Sequence, residues 1–213
     1  RDVLVRVAYG ARYTLSIGVF STLISLVLGT IIGAAAGFFG GKVDNIIMRA
    51  LDIIQAFPQM LMAIALSAVF GTGFDKTIIA IGLTSVPGFA RLLRANILTV
   101  RRQEYIEAAV TINCSTVRTI ITHALPNAIS PLIVHTAMEV AHAGMTAAAL
   151  SFIGLGVQEP LPEWGSLLSG ARSYIRDYSY LCLFPGLAIM LSTLSFNLIG
   201  DGLRDALDPK LRR

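Results

Sequence analysis

From Tyr13 to Gly41 the chain carries no charged residue, and Arg12 and Lys42 bracket the stretch. About 20 apolar residues cross a bilayer as helix, so this segment predicts a first membrane span. Before it, RDVLVRVAYGAR alternates charged and apolar residues at helical spacing and predicts an interfacial lead-in. A second span is predicted from about Ile53 to Phe70, with Pro58 inside it. A third, TIIAIGLTSVPGFA, is short and broken by Pro87 and Gly88. A fourth runs from about Ala128 to Val157 and a fifth from about Tyr180 to Gly200. Proline inside a span is tolerated where neighbouring helices satisfy the freed carbonyl. Between the last two spans, GVQEPLPEWGSLLSGARSYIRDYS carries Pro160, Pro162 and Trp164. It is too polar to span and too hydrophobic to float, which suits a helix on the outer face.

The segment between the third and fourth spans, about residues 91–127, breaks this rhythm. Glu104 and Glu107 come early in a predicted helix, where carboxylates offset the positive end of the helix dipole. Ala108 and Ala109 follow, and such a small pair permits close docking. Asn113 accepts the left-handed conformation that ends a helix, and Ser115 or Thr116 can cap the next one. That second helix, TVRTIITHAL, is expected to stop at Pro126 and to gather Val117, Ile120, Ile121 and Leu125 on one face. The prediction is helix, sharp corner, helix: a polar elbow suited to transmitting force from a soluble partner.

Composition agrees with a polytopic membrane protein. Of 213 residues 54% are hydrophobic and only 14% charged, against about a quarter in soluble domains, and mean hydropathy is +0.70. No linker divides the chain, so residues 1–213 read as one all-α domain. Putting residues 40–52, 91–127 and the C-terminus on one side collects Lys42, Arg49, Arg91, Arg94, Arg101, Arg102, Arg118, Arg204, Lys210, Arg212 and Arg213. The other side holds Arg1, Arg6, Arg12, Lys76, Arg172 and Arg176. The excess makes the first side cytoplasmic and accounts for the +4 net charge without nucleic acid. Five spans then start outside, and a sixth, upstream of Arg1, is expected. Gly29, Gly33 and Gly37 repeat every four residues in the first span, a stripe for close helix packing. Packing within the chain is favoured over a subunit interface. Cys114 and Cys182 form no metal or disulfide pattern.

EAAVTIN…HALP resembles the EAA loop of ABC-importer permeases, whose usual pattern is Glu-Ala-Ala, three residues, Gly, nine residues, Ile-x-Leu-Pro. Glu107, Ala108, Ala109, Leu125 and Pro126 match in register, whereas Asn113 stands for the usual Gly and His123 for the usual Ile. ALSFIGLGVQEPLPEWGSLLS and FPGLAIMLSTLSFNLIGDGLRDALDPKLR resemble the C-type permease of the dipeptide, oligopeptide and nickel importers. So do RDVLVRVAYGARYTLSIG and GGKVDNIIMRALDI. The resemblance covers essentially the whole chain and implies a type I importer permease fold in a bacterial inner membrane. It implies a second permease subunit, two ATPase subunits on the paired EAA loops, and an extracytoplasmic binding protein, which the outer-face stretch helps to meet unless it only closes the rim. It also implies alternating access, with ATPase closure pushing the elbow and the spans rocking. The chain shows no Walker A sequence: AAAGFFGGKV has Ala36 and Val43 where Gly and Ser or Thr belong. ATP therefore belongs to partners, and this subunit is not itself an enzyme.

His135, Glu139 and His142 stand at i, i+4 and i+7 in the fourth span, on one helical face. Ionisable groups in a span are costly and usually face a cavity. Imidazole and carboxylate suit Ni2+ or another first-row cation, and the nickel branch of the family resembles this sequence there. Transported nickel is thus the favoured cargo, with Glu139 and His142 as a way-station and His135 nearer the cytoplasmic end. Met138 and Met145 beside them read as packing. The alternative is dipeptide or oligopeptide import with polar lining for peptide termini. A passive channel or membrane-embedded enzyme is more remote, because either leaves the elbow without purpose.

Overall fold

The computed structural model describes residues 2–207. Arg1, Lys210, Arg212 and Arg213 of the charge count lie outside the described residues. The first helix, α1 (Val3–Phe39), is capped by Asp2, whose carboxylate accepts from the Val5 amide at 3.3 Å. The lead-in is therefore not a separate interfacial segment. No breaker separates it from the span, and the helix is about 55 Å long at 1.5 Å per residue. It ends where Gly40 and Gly41 take φ of 66° and 55°, a conformation that glycine enters without steric cost.

The buried face of α1 is built of small residues: Thr14, Gly18, Ser21, Ser25, Gly29, Gly33 and Gly37. Along it lies α4 (Phe74–Val100), running parallel. A Cβ on Gly29 would stand 2.4 Å from that of Phe89, and one on Gly33 2.4 Å from the Ala90 carbonyl oxygen. The Ser25 hydroxyl donates to the Gly82 carbonyl at 2.7 Å. The glycine stripe thus serves packing within the chain, as favoured above. Pro87 and Gly88 do not break α4, which is continuous through both. Residues 91–100, read as the start of the polar insert, are its last turns.

Two parallel helices need a return, which α2 (Gly41–Gln55) and α3 (Gln59–Phe70) provide. They do not form the straight second span expected. Pro58 leaves no amide to continue α2, and the pair is bent by 85°. α2 is held to α4 by two ion pairs: Asp44 to both Nε and Nη2 of Arg94 at 2.5 Å, and Asp52 to Arg91.

After the elbow, α8 (Ser130–Phe152) returns antiparallel against α1. Then α9 (Trp164–Ala171) crosses the far end and α10 (Tyr180–Leu207) runs back. By length and composition α1, α4 and α10 qualify as spans, and the α2–α3 pair, apolar enough together but bent, counts as a fourth if it is one broken span. At 23 residues α8 is about 34 Å long, enough to cross. Its ionisable residues dilute the apolar signal.

Two cores result. One, at the elbow end, joins Ala34, Phe89, Leu93, Ile97 and Val100 to Ile106, Ala124, Ala128 and Leu132. The other, at the far end, joins Ile17, Ile78, Ile81, Ala147, Leu150 and Val157. The outer-face stretch is pinned rather than loose. Glu163 is fully buried, accepts from the Thr14 hydroxyl at 3.0 Å and caps α9 through the Ser166 amide at 2.9 Å. The Trp164 indole donates to the Val7 carbonyl at 2.8 Å. This contact set fixes the stretch against α1.

Candidate functional site

Two regions hold the residues singled out from the sequence. In the first, α5 (Glu104–Thr111) projects from the end of α4. Asn113 takes φ 60°, and the Asn113 and Cys114 amides donate to the Val110 and Ala109 carbonyls at 2.9 and 3.1 Å. This is a complete Schellman ending with asparagine in the left-handed position. The corner is where the sequence places it.

The second arm differs from expectation in two ways. Ser115 opens α6 (Thr116–Thr119), yet its side chain makes no capping bond. The helix also does not stop at Pro126. A π turn over Ile120–Ala124 widens the spiral, and the chain passes helically through the proline into α7 (Leu125–Ala128). The extra residue rotates the register, so Thr119, Ala124 and Ala128 form the buried stripe at spacings of five and four. The expected apolar face is therefore split. Ile120 and Leu125 pack on the core, while Val117 and Ile121 are exposed. The alanine pair is split likewise: Ala109 is buried within the elbow, whereas Ala108 faces outward with Glu107 and Asn113.

The tip has a surface that the sequence reading missed. Tyr105, Val110, Ile112, Val117 and Ile121 are all exposed, Ile112 by 81%. Their signal was available as apolar residues interleaved with Glu and Arg on helices too short to bury both faces. The patch stands on a rigid base, because Ile106 and Ala124 belong to the same core as Leu93 and Ile97 of α4.

The second region is a groove of about 400 Å³ between the α2–α3 break, α4 and α8. Gln55, Pro58, Gln59, Thr84, Ser85, His135 and Glu139 line it. Gln59 donates to the Ser85 hydroxyl at 2.9 Å, and the Thr84 hydroxyl to the Ile81 carbonyl at 2.8 Å. The His135 ring meets Phe89 edge-on at 4.7 Å. The structure brings His135 and Glu139 together here, so His135 is a wall of the groove and not merely an end-of-helix residue. His142 does not line it. Its side chain is 47% exposed, and its Nδ1 stands 4.0 Å from Glu139 Oε1, beyond hydrogen-bond reach. Among the described residues no three His, Cys, Asp or Glu side chains converge as a metal site. The expected Glu139–His142 way-station thus has two possible donors, and first-row cations take four or more ligands. The groove's polar half, from Gln55 to Ser85, was missed because it arises only when the chain folds back at Pro58.

The chain is similar throughout its length to curated transport proteins. It is 45% identical over 212 residues to the dipeptide transport system permease protein DppC of Alkalihalophilus pseudofirmus, covering all of this chain and 70% of that protein. It is 44% identical, with the same coverage, to the glutathione transport system permease protein GsiD of Pectobacterium atrosepticum. The di/tripeptide transport system permease protein DppC of Pseudomonas aeruginosa matches at 45%. In fold it is similar to the MetNI methionine ABC transporter in an inward-facing conformation, with a TM-score of 0.79, 16% identity, and 97% and 96% of the two chains covered. An amino acid ABC transporter solved with histidines gives 0.67 at 16% identity. Residues 29–213 match the family of binding-protein-dependent transport system inner membrane components. With its parallel α1–α4 pair, elbow and apolar spans, the chain belongs to that family and is a multi-pass permease subunit of an ABC importer.

Proposed function

We propose that this subunit lines the pathway of an importer for short peptides. The observation that carries the reading is the unbroken similarity to dipeptide, di/tripeptide and glutathione permeases along the full chain. Nickel, favoured from the His and Glu residues alone, gives way to the peptide alternative because the relatives point to peptides and the donor set is thin. The subunit pairs with a second permease and receives cargo from an extracytoplasmic binding protein. The elbow seats on an ATPase partner through Glu107, Ala108, Asn113 and exposed Ile112, with Ala109 and Leu125 shaping it from within and Pro126 exposed at the turn of its second arm. ATP is bound and hydrolysed by those partners. The test is uptake of radiolabelled dialanine and of radioactive Ni2+ by cells with and without the system. System-dependent dialanine uptake is expected. System-dependent Ni2+ uptake without peptide uptake overturns the reading.

A further inference from the structure

We infer that the groove between the α2–α3 break, α4 and α8 is a cargo station, in which the Glu139 carboxylate receives the α-ammonium of a passing peptide. The inference rests on the peptide-import reading and adds a residue and a chemistry to it. Its starting point is an electrostatic imbalance. The Glu139 side chain is only 12% exposed, and its Oε1 is buried without a hydrogen-bond partner. An isolated buried carboxylate is strongly unfavourable unless a cation or donors compensate it.

The surroundings do not supply that compensation. No Lys or Arg is among the described residues lining the groove. The Gln59 amide is engaged by Ser85, and the Thr84 hydroxyl by Ile81. His142, 47% exposed and with its Nδ1 4.0 Å from Oε1, makes no hydrogen bond and offers at most a solvent-screened charge when protonated. The under-compensated carboxylate therefore favours a cation arriving from outside, and the open side of the groove is bordered by exposed Gln55, Phe57 and Pro58.

Its size and type follow. About 400 Å³ falls within the range of small-ligand sites, roughly 300–1,000 Å³. A bare divalent metal is poorly served by one carboxylate and one imidazole. A primary ammonium is well served: it presents three donors and needs only a carboxylate and one or two neutral acceptors. His135 and Ser85 stand on the same walls to provide them. Carboxylate–ammonium pairing at a side chain only 12% exposed is stronger than at an open surface.

The test uses the assembled transporter in nanodiscs, without nucleotide or binding protein, so that the binding protein's own preference cannot intrude. Binding of radiolabelled dialanine is competed with unlabelled dialanine or with N-acetyl-dialanine, which lacks the ammonium. Dialanine is expected to compete at least tenfold better in the unaltered complex. Glu139→Gln should abolish that preference while the subunits still co-elute, and Glu139→Asp should keep part of it. Equal competition by the two peptides in the unaltered complex overturns the inference, and that arm needs no variant to fold. So does a tenfold preference that survives Glu139→Gln, or absence of dialanine binding. Cellular dialanine uptake, measured in parallel, separates the failures. Uptake without the preference sinks the station alone, and absence of uptake sinks peptide import as well.

Discussion

Replacing Gly33 by alanine adds one methyl group where α1 meets α4. The new carbon would stand 2.4 Å from the Ala90 carbonyl oxygen and 3.0 Å from the Ala90 Cα. A comfortable C···O contact is about 3.3 Å, so the two helices must part by roughly 0.9 Å. The obstacle is backbone, which cannot rotate away as a side chain does. A gap of that size forfeits about a quarter to a half of each dispersion contact along the seam. Inside lipid no hydrophobic drive closes it again, because apolar side chains are equally at home among acyl chains. Overpacking of this kind costs about 1–3 kcal/mol. Gly186→Ala in α10 is the matched control. Nothing lies within 4 Å of its added carbon and its φ is not positive, so it removes only the glycine penalty of about 1 kcal/mol in a helix. Gly33→Ala gains the same amount, so its net loss is up to about 2 kcal/mol, and thermal unfolding in one detergent should place it below Gly186→Ala by several degrees at roughly 2–4 °C per kcal/mol. If Gly33→Ala melts as high as Gly186→Ala, the close backbone approach is not what holds α1 to α4.

Asn113→Gly should leave folding and coupling intact, because φ 60° suits glycine, whereas Asn113→Val should cost about 1–2 kcal/mol and lower transport; equal transport by both would remove the corner from the argument. Ile112→Asp should abolish co-purification of the ATPases without changing the melting temperature, since its side chain is 81% exposed. Ala109→Trp is a poorer probe of docking, as Ala109 is buried and the ring would deform the elbow itself. Arg94→Ala strands Asp44, whose side chain is 12% exposed, and should destabilise by about 1–3 kcal/mol, with Asp44→Ala in the same chain recovering part of the loss by thermal melt. Arg91→Ala, in a pair 43% and 62% exposed, should cost less than about 1 kcal/mol in the same assay.

Features carried by one helix were legible in the sequence. The four-residue repeat of Gly29, Gly33 and Gly37 marks a backbone seam whatever packs on it. Asn113 marks a left-handed corner because few other residues adopt one cheaply. The two prolines show where legibility ends. Pro58 breaks its segment, and Pro87, in equally apolar surroundings, does not. Pro87 is buried along the seam with α1, whereas the residues at the break, Ala56 to Pro58, are exposed. Asp44 and Asp52 meanwhile hold α2 to α4 through Arg94 and Arg91. Those pairings join residues 50 and 39 apart, so no local pattern announces them. The π turn is similar. Pro126 is expected to stop its helix and does not, because whether the chain stops or widens before a proline depends on the core waiting for Ala124 and Ala128. Glu139 and His142 are neighbours by helical spacing, and only the fold directs one into the groove and the other away from it.

The elbow and the groove share their supports. α4 forms one groove wall through Thr84, Ser85 and Gly88, then continues for about 18 Å to Val100 at the root of α5. α8 forms another through His135 and Glu139 and begins at Ser130, two residues after α7. The single core of Leu93, Ile97, Ile106, Ala124 and Leu132 binds both roots to the elbow. A close-packed core transmits displacement because it has few voids to absorb it. A push on the tip is therefore expected to act on the two groove walls together, while α2, tied to α4 by Asp44, follows. The third wall takes another path. α3 lies beyond an 85° bend and is seated by buried Ala63 in the far-end core with Ile78 and Ile81, while at the groove Gln59 donates to Ser85. The α2–α3 break thus joins a helix tied to α4 near the elbow end to one seated in the far-end core, and it is where the groove should widen or narrow when the elbow moves. Cysteines at Gln59 and Ser85, cross-linked by a short reagent, should then stop transport while ATPase docking persists. Undiminished transport through the cross-linked pair would show that the groove does not change width there.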